Sequence, residues 1–189
     1  CSTGGGLKIG ITLHNVTSSD ISGYAQCAQT AGYLFTSGSN NNLLNTLQAY
    51  NSKVGIKVIS NGNYFNNTHL GGNDDVGILF YGSDNNQIND GNFYSNKYAI
   101  GFTRGAENNR IKDLNFDDND DYDIHHGYDS NSTRNGWNNI LIDTEFEDLS
   151  IDSNSRLLEK TLIETTITDN GTYAWNRVNK TLDSDRRAY

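Results

Sequence analysis

The feature that most constrains the fold is a repeat of 22–24 residues. The segment GILFYGSDNNQIND (77–90) returns as AIGFTRGAENNRIKD (99–113), with Ile-x-Phe and Asn-Asn-x-Ile in matching places. Six copies align on the residue before the first apolar position, and successive copies are spaced by 22, 23, 22, 22 and 24 residues. The six anchor positions are Gly10, Gly32, Gly55, Gly77, Ala99 and Asp123. A period in this range indicates a stack of repeats rather than a globular domain.

Each copy continues with a second apolar run, which is often preceded by a pair of asparagines. The second apolar positions are Ile21, Leu44, Phe65, Ile88, Ile111 and Leu141. Alternation with period 2 inside the runs, and Asn, Gly, Asp and Ser between them, predict short strands joined by sharp corners. Asn and Gly tolerate the left-handed backbone that such corners need. The paired asparagines predict ladders of side-chain amides along one corner.

The register of the copies predicts two columns of inward side chains. One column is Leu13, Phe35, Val58, Phe80, Phe102 and His126, and the other is Ile11, Tyr33, Ile56, Ile78, Ile100 and Ile124. One coil cannot bury these side chains alone, but coils stacked about 4.8 Å apart can. A leucine-rich repeat is the nearest competing architecture, and its Leu-x-x-Leu-x-Leu pattern is missing.

The composition supports an elongated fold with a thin core. The chain has 28 asparagines, 19 glycines and no proline, with 34% hydrophobic and 11% aromatic residues. Its net charge is −9 and its 14 basic residues form no run, so nucleic acid and anionic membranes are poor partners. No apolar run approaches the length of a membrane span. Without an initiator Met or a visible signal peptide, the chain is expected to be a processed product or a fragment.

Two stretches of the repeat resemble a known family. NNRIKDLNF and GILFYGSDNNQINDGNFYSNKYAIGF resemble the right-handed parallel β-helix repeat of the pectate-lyase-like superfamily, in the Asn-rich form of secreted bacterial and archaeal surface proteins. The resemblance covers about residues 5–154. It implies an all-β, right-handed parallel β-helix of about six coils. It does not imply one function, because this fold hosts lyases, hydrolases, epimerases, tailspikes, adhesins and structural proteins.

Two domains follow from where the repeat fades. Residues 1–154 are predicted to form the parallel β-helix. Residues 155–189 alternate like a strand, a turn at 169–171 and a second strand. This C-terminal extension is either a cap or the start of a following β module.

The two cysteines leave three possibilities open. Cys1 and Cys27 precede adjacent anchor regions, so they can stack on neighbouring coils and form a disulfide. A disulfide would indicate an oxidising compartment and an extracellular or cell-surface location. Alternatively, the two residues are buried free thiols. A third possibility is a lipid on Cys1, because CSTGGG resembles the start of a mature bacterial lipoprotein.

Five Asn-x-Ser/Thr sequons make the chain a candidate glycoprotein. They begin at Asn15, Asn66, Asn131, Asn170 and Asn179. About five are expected by chance in a chain so rich in Asn, Ser and Thr, so the number alone does not indicate glycosylation.

The densest cluster of chemically reactive side chains is DDNDDYDIHHGYD, residues 117–129. Carboxylates and imidazoles together can build a metal site or an acid–base pair. The register places His126 in the core beside Phe102 and places His125 on the outside. If the protein is an enzyme, Asp123 and His125 are therefore the catalytic candidates. The Asp-Pro-His motif of alginate-type epimerases lacks its proline here, which argues against that activity.

A calcium site is a further hypothesis. Asp90, Asp113 and Asp143 each lie two residues after a second-strand position, so they fall at one corner of successive coils. Carboxylates about 5 Å apart repel unless they are protonated, splayed or share a cation. Oxygen-only ligands favour Ca²⁺, to which residues 117–121 could add. The alternative is a solvated acidic edge, and no other cofactor is expected.

Two classes of function remain. The first is a structural or adhesive module of an extracellular surface or filament protein, which self-associates or docks on neighbouring subunits through the ends of the β-helix. The second is a carbohydrate-active enzyme or polysaccharide binder of the lyase, hydrolase or epimerase type. In that case Tyr81, Tyr94 and Tyr128 would line a sugar groove beside the acidic segment.

Overall fold

The computed structural model of the chain describes residues 7–126, 136–137, 139–142, 144, 146, 149–151, 157–165 and 174–182. Every regular element in these ranges is a β-strand, and none of them contains a helix able to cross a membrane. In chain order the strands are β1 (Ile9–Leu13), β2 (Asp20–Gln26), β3 (Ala31–Phe35), β4 (Leu43–Tyr50), β5 (Val54–Val58), β6 (Tyr64–Gly71), β7 (Val76–Tyr81), β8 (Gln87–Tyr94), β9 (Tyr98–Thr103), β10 (Ala106–Glu107), β11 (Arg110–Asp117), β12 (Tyr122–His126), β13 (Gly136–Trp137), β14 (Asn139–Ile142), β15 (Leu149–Ile151), β16 (Leu157–Thr165) and β17 (Ala174–Leu182).

The strands stack as a parallel β-solenoid, which confirms the predicted fold class. The first sheet has the order β1-β3-β5-β7-β9-β12-β15, and the second has the order β17-β16-β14-β11-β8-β6-β4-β2. The chain alternates between these sheets, so each coil places its backbone hydrogen bonds on the coils before and after it. β10 and β13 form a small third sheet. All six predicted anchors lie in strands of the first sheet, and β15 adds a seventh strand that the repeat did not predict.

The predicted register is also confirmed. Phe80 pairs with Phe102 in the next coil, and Ile78 pairs with Ile100. Both columns are fully buried from the second coil to His126. The second-strand positions pair in the predicted order from Ile21 to Leu141 and complete the core between the sheets.

Residues with left-handed backbone conformation form the corners. The long strands of the second sheet bend at one position in each of four successive coils, at Thr46, Asn67, Asp90 and Asp113, where φ lies between 51° and 65°. The first residue of each predicted Asn pair described here is also left-handed: Asn41, Asn85 and Asn108 have φ of 56–57°. Asparagine supplies these corners because its short polar side chain reduces the cost of this conformation.

The second residue of each pair, together with Asn63, which follows Gly62, builds the predicted amide ladder, called the inner ladder below. Its members are Asn42, Asn63, Asn86, Asn109 and Asn139, and all are buried. Each Oδ1 from Asn63 onward accepts both the backbone N–H and the Nδ2–H of the preceding member at 2.9–3.2 Å. A second ladder, Asn73–Asn96–Asn119, closes another corner in the same way, with Asn73 and Asn96 buried and Asn119 half-buried. These ladders satisfy backbone groups that the corners would otherwise leave unpaired.

The glycine at the anchor position reflects how closely successive coils approach. A Cβ added at Gly55 would lie 2.5 Å from the carbonyl oxygen of Gly77, and one added at Gly77 would lie 2.6 Å from that of Ala99. The repeat therefore uses glycine here for space rather than for a left-handed conformation.

The C-terminal extension continues the second sheet. β16 pairs in parallel with β14, and β17 pairs antiparallel with β16. The two strands thus form the expected antiparallel pair, while the turn at residues 169–171 lies outside the described residues. Whether the pair is a cap or begins a further module stays a prediction.

Candidate functional site

The two histidines of the acidic segment lie where the register placed them. His126 is buried, and its ring centroid is 4.6 Å from that of Phe102, so it is a core residue. His125 lies on the outer face of the first sheet, parallel to the rings of Tyr98 and Tyr122 at centroid distances of 4.6 and 5.6 Å. Contacts with both tyrosine rings, whose centroids are 6.1 Å apart, orient the imidazole.

Asp123, the other catalytic candidate, has a different environment. It is buried, and its Oδ1 accepts a 3.0 Å hydrogen bond from Nδ2 of Asn119, the half-buried last member of the second ladder. Asp123 is therefore a strand residue bonded to the corner before it, whereas His125 belongs to a group of rings on the outer face. A catalytic role for either residue stays a prediction.

Two of the three residues of the predicted acidic corner have the predicted register. Asp90 and Asp113 are equivalent residues of adjacent coils, between the paired positions Asn89–Lys112 and Gly91–Leu114, and both are exposed. Lys112 Nζ lies 2.6 Å from Asp113 Oδ2, so an ammonium group already balances one of these carboxylates. Asp143 lies outside the described residues. Within the described part of the chain there is no group of three or more His, Cys, Asp or Glu arranged to hold a metal, and calcium binding stays a prediction.

Only one of the two cysteines of the predicted disulfide is among the described residues. Cys27 is disulfide-bonded, and Cys1, the only other cysteine in the sequence, lies outside the described residues. Its pairing with Cys27, like a lipid on Cys1, stays a prediction.

The sequons lie in different surroundings. Asn15 is exposed and left-handed, with φ of 55°. Asn66 is half-buried; its Nδ2 donates to Asn45 Oδ1 at 3.3 Å, and its Oδ1 accepts from Asn89 Nδ2 at 3.2 Å. Asn179 lies in β17, whereas Asn131 and Asn170 lie outside the described residues. Glycosylation at any of these sites stays a prediction.

Two predicted outward aromatics are described, and they lie on different sheets. Tyr81, on the first sheet, is flanked by Lys57 Nζ at 4.3 Å and the Arg104 guanidinium at 4.9 Å from its ring centroid. Burial, and then the nearby Arg104 charge, lower the pKa of Lys57. Tyr94 lies on the second sheet. Tyr128 lies outside the described residues.

Tyr94 belongs to a strip of three tyrosines that spans four successive coils. The ring centroids of Tyr24 and Tyr50 are 5.7 Å apart, and those of Tyr50 and Tyr94 are 6.2 Å apart. Tyr94 reaches Tyr50 by lying over Gly71 of the coil between them. Burial, followed by the charge and hydrogen bond of Tyr94, raises the pKa of Tyr50. Tyr24 and Tyr94, the two ends of the strip, are exposed, with 54% and 39% of their surfaces accessible to solvent.

The sequence prediction named Tyr94 but missed Tyr24 and Tyr50. The signal that could have found Tyr50 is the outward column Gln26, Tyr50, Gly71, Tyr94 and Asp117, which follows from the same register as the core. Tyr24 lies in the neighbouring column, and its contact with Tyr50 is diagonal, so no column contains the whole strip.

A shallow cavity of about 250 Å³ lies on the second sheet, on the opposite side of the strand bend from the tyrosine strip. It is lined by Tyr64, Gln87, Ile88, Asn89, Arg110, Lys112 and Ile142. Its volume is below the roughly 300–1,000 Å³ of typical ligand pockets. Since Lys112 is paired with Asp113, we assign the cavity no ligand.

Comparisons of the chain with protein-family models, with curated proteins and with solved structures each find no match.

Proposed function

We propose that this chain is a structural and adhesive β-solenoid module of an extracellular surface or filament protein, and that its first coil docks on another chain or on a preceding part of the same protein. We also propose that it belongs to the pectate-lyase-like superfamily, in the Asn-rich form of secreted surface proteins. The parallel β-solenoid fold and the Asn-rich corners support this assignment.

The observation that carries the proposal is the open core of the first coil. Ile11 lies in the inward column with Tyr33, to which it is paired, yet 37% of Ile11 is exposed while Tyr33 is completely buried. Leu13 and Ile21 are likewise only partly buried, although Phe35 and Leu44, their partners in the next coil, are buried. An apolar core layer exposed in this way favours association, because covering it removes apolar surface from water.

The backbone of the same coil supports the same conclusion. β1 and β2 lie at the ends of their sheets, so each has one partner strand among the described residues. An edge strand presents unpaired N–H and C=O groups that another strand can complete. A docked coil would therefore extend both sheets and the core together.

An oxidising location is supported by Cys27, whose disulfide would be rare in a reducing compartment. The net charge of −9 is compatible with a solvated surface protein.

The test compares two Lys substitutions at similarly exposed apolar residues. In Ile11→Lys the new charge is in contact with water in the free chain but would be buried by a docked coil. Leu43 on β4 is 40% exposed but is not at the end of the stack, so a docked coil would not cover the charge of Leu43→Lys. We expect wild type and Leu43→Lys to assemble with rising concentration in light scattering, with end-to-end particles in electron micrographs, and Ile11→Lys to remain monomeric. A compact wild-type monomer at high concentration would contradict self-docking, as would assembly of Ile11→Lys at wild-type concentrations.

A further inference from the structure

We propose that the tyrosine strip and the amides beside it form a binding face for a neutral polysaccharide. This aromatic–amide face consists of outward positions in five strands of the second sheet: those that follow the bend in β4, β6, β8 and β11, and the positions paired with them in β2. They are Tyr24 and Gln26 on β2, Gln48 and Tyr50 on β4, His69 and Gly71 on β6, Asn92 and Tyr94 on β8, and Asn115 and Asp117 on β11. The proposal rests on the adhesive part of the proposed function and is independent of docking through the first coil.

The rings supply the apolar part of the face. Tyr24, Tyr50 and Tyr94 contact one another in sequence across β2, β4 and β8, so the strip runs along the stacking direction of the coils. The rings are tilted by 54° and 42° to their neighbours. A sugar ring presents an apolar face of C–H groups, which packs on an aromatic ring. A linear polymer can place successive sugar units on successive tyrosines.

The flanking groups supply the polar part. Tyr24 donates a hydrogen bond to Gln26 Oε1 at 2.9 Å, which fixes its hydroxyl. Asn92 Nδ2 lies 3.2 Å from His69 Nδ1, which leaves the Asn92 Oδ1 available as an acceptor. Side-chain amides both donate and accept, so they match the hydroxyl groups at the edge of a sugar. Such a mixture of rings and amides favours a polyhydroxylated ligand over an apolar one.

The charge of the face selects among polysaccharides. Charged residues make up 20% of the chain, but Asp117 is the only acidic residue among the ten positions and none of them is Lys or Arg. An acidic polysaccharide would have no cation to pair with here, and it would approach a chain of net charge −9. A neutral polymer has neither cost.

The absence of a side chain at Gly71 makes room for the ring of Tyr94. A Cβ at position 71 would lie 2.5 Å from Cζ of Tyr94, so any other residue would displace the ring. The side chain of Tyr94 occupies that space and bridges the coil to reach Tyr50. Glycine at this position therefore makes the strip continuous.

The experiment measures binding of the intact chain to immobilised neutral glycans (β-glucan, xylan, mannan and chitin oligosaccharides) and to acidic ones (polygalacturonate and alginate). We expect at least one neutral glycan and no acidic glycan to bind. Tyr24→Ala and Tyr94→Ala should each weaken binding by about tenfold, as expected for the loss of one ring contact. Gly71→Ala should weaken it in the same direction.

The matched control is Tyr64→Ala, which removes a tyrosine from the same sheet on the other side of the bend. It should bind like wild type, and thermal melts verify that each variant folds. The proposal is overturned if no neutral glycan binds, if only acidic glycans or a protein bind, or if Tyr24→Ala and Tyr94→Ala bind like wild type. Because Ile11→Lys should still bind glycan, loss of docking and loss of glycan binding can be told apart.

Discussion

The inner ladder and a second row of asparagines on the outside of the same coils use the same amide–amide hydrogen bond in different surroundings. The outer ladder consists of Asn45, Asn66 and Asn89, and each Nδ2 donates to the side chain of the preceding coil, with Asp20 accepting from Asn45 at 2.9 Å. Its bonds of 2.9–3.3 Å resemble those of the inner ladder, at 2.9–3.2 Å. The distances therefore do not distinguish them.

Burial and the number of bonds distinguish them. Asn86 of the inner ladder is buried; its Nδ2 donates to Asn109 Oδ1 and to the carbonyl of Ser60, and its Oδ1 accepts two N–H groups of Asn63. Asn66 of the outer ladder is half-buried and has one amide bond on each side. A lost bond costs most when water cannot replace it. Repetition of a side chain thus indicates register, whereas burial decides whether the repeated bond stabilises the fold.

The largest expected difference between inside and outside is in side-chain packing. Phe80→Ala should lower the free energy of unfolding by about 3–5 kcal/mol, because it opens a cavity in the aromatic column. The Phe80 ring is buried and stacked on Phe102 with centroids 5.3 Å apart and planes 13° apart. Denaturant unfolding measures the change.

The matched control is the next residue, Tyr81→Ala, which removes a ring from the outer face and should cost clearly less. A loss below about 1 kcal/mol for Phe80→Ala would mean that the register is shifted by one residue.

The next largest effect concerns the inner ladder. Asn86→Ala should destabilise the chain by about 2–4 kcal/mol, because the backbone N–H of Asn63 and the carbonyl of Ser60 lose buried partners. Chemical denaturation gives the change, and hydrogen exchange at Asn63 should increase. Asn89→Ala, three residues away on the outside, is the control. Equal losses for the two variants would contradict the distinction between the ladders.

Prediction from sequence succeeded for the core columns and for the Asn pairs, where similar residues repeat at one position. Phe80, Phe102 and His126 share an inward column, so an aromatic neighbour was predictable even for a histidine. The Asn pairs predicted both left-handed corners and ladders for the same reason. The salt bridge from Lys112 to Asp113 was not predictable, because neighbouring residues of a regular strand point to opposite faces. The bend at the left-handed Asp113 brings the two side chains together.

The candidate binding face was harder to predict than the core. Its strip combines a diagonal contact, Tyr24 to Tyr50, with a contact over a missing side chain at Gly71. Neither repeats from coil to coil. The candidate binding face therefore depends on residues that differ from coil to coil, and an alignment of the repeats does not identify such residues.

A smaller effect concerns a polar atom inside the core. The Tyr33 hydroxyl is buried beside Gly23 and has no hydrogen-bond partner in the described structure, and burial raises the pKa of Tyr33 from 10.0 to about 12. The folded chain thus holds this proton more tightly than the unfolded chain does. The associated stability is fully present below pH 10 and is lost as the pH rises to about 12, by on the order of 2–3 kcal/mol.

Tyr33→Phe isolates this effect, because it removes the hydroxyl and keeps the ring. At pH 7 the variant should be as stable as wild type or more stable by up to about 1 kcal/mol, since an unpaired buried hydroxyl is lost. Between pH 10 and 12 its stability should fall less steeply than that of wild type. Parallel denaturant titrations across this range measure both quantities, and identical slopes would show that Tyr33 has an ordinary pKa.

The smallest expected effect is in the outer ladder. Asn66→Ala should change the free energy of unfolding by no more than about 0.5 kcal/mol, because water can replace both amide bonds of this half-buried side chain. Asn63→Ala, on the inner ladder three residues earlier, provides the contrast, and the pair should differ by at least about 1.5 kcal/mol. Thermal melts at one protein concentration suffice for the comparison. A loss above about 1.5 kcal/mol for Asn66→Ala would mean that the outer ladder acts as a cooperative network, and exposure would then be a poor guide to which amides hold the coils together.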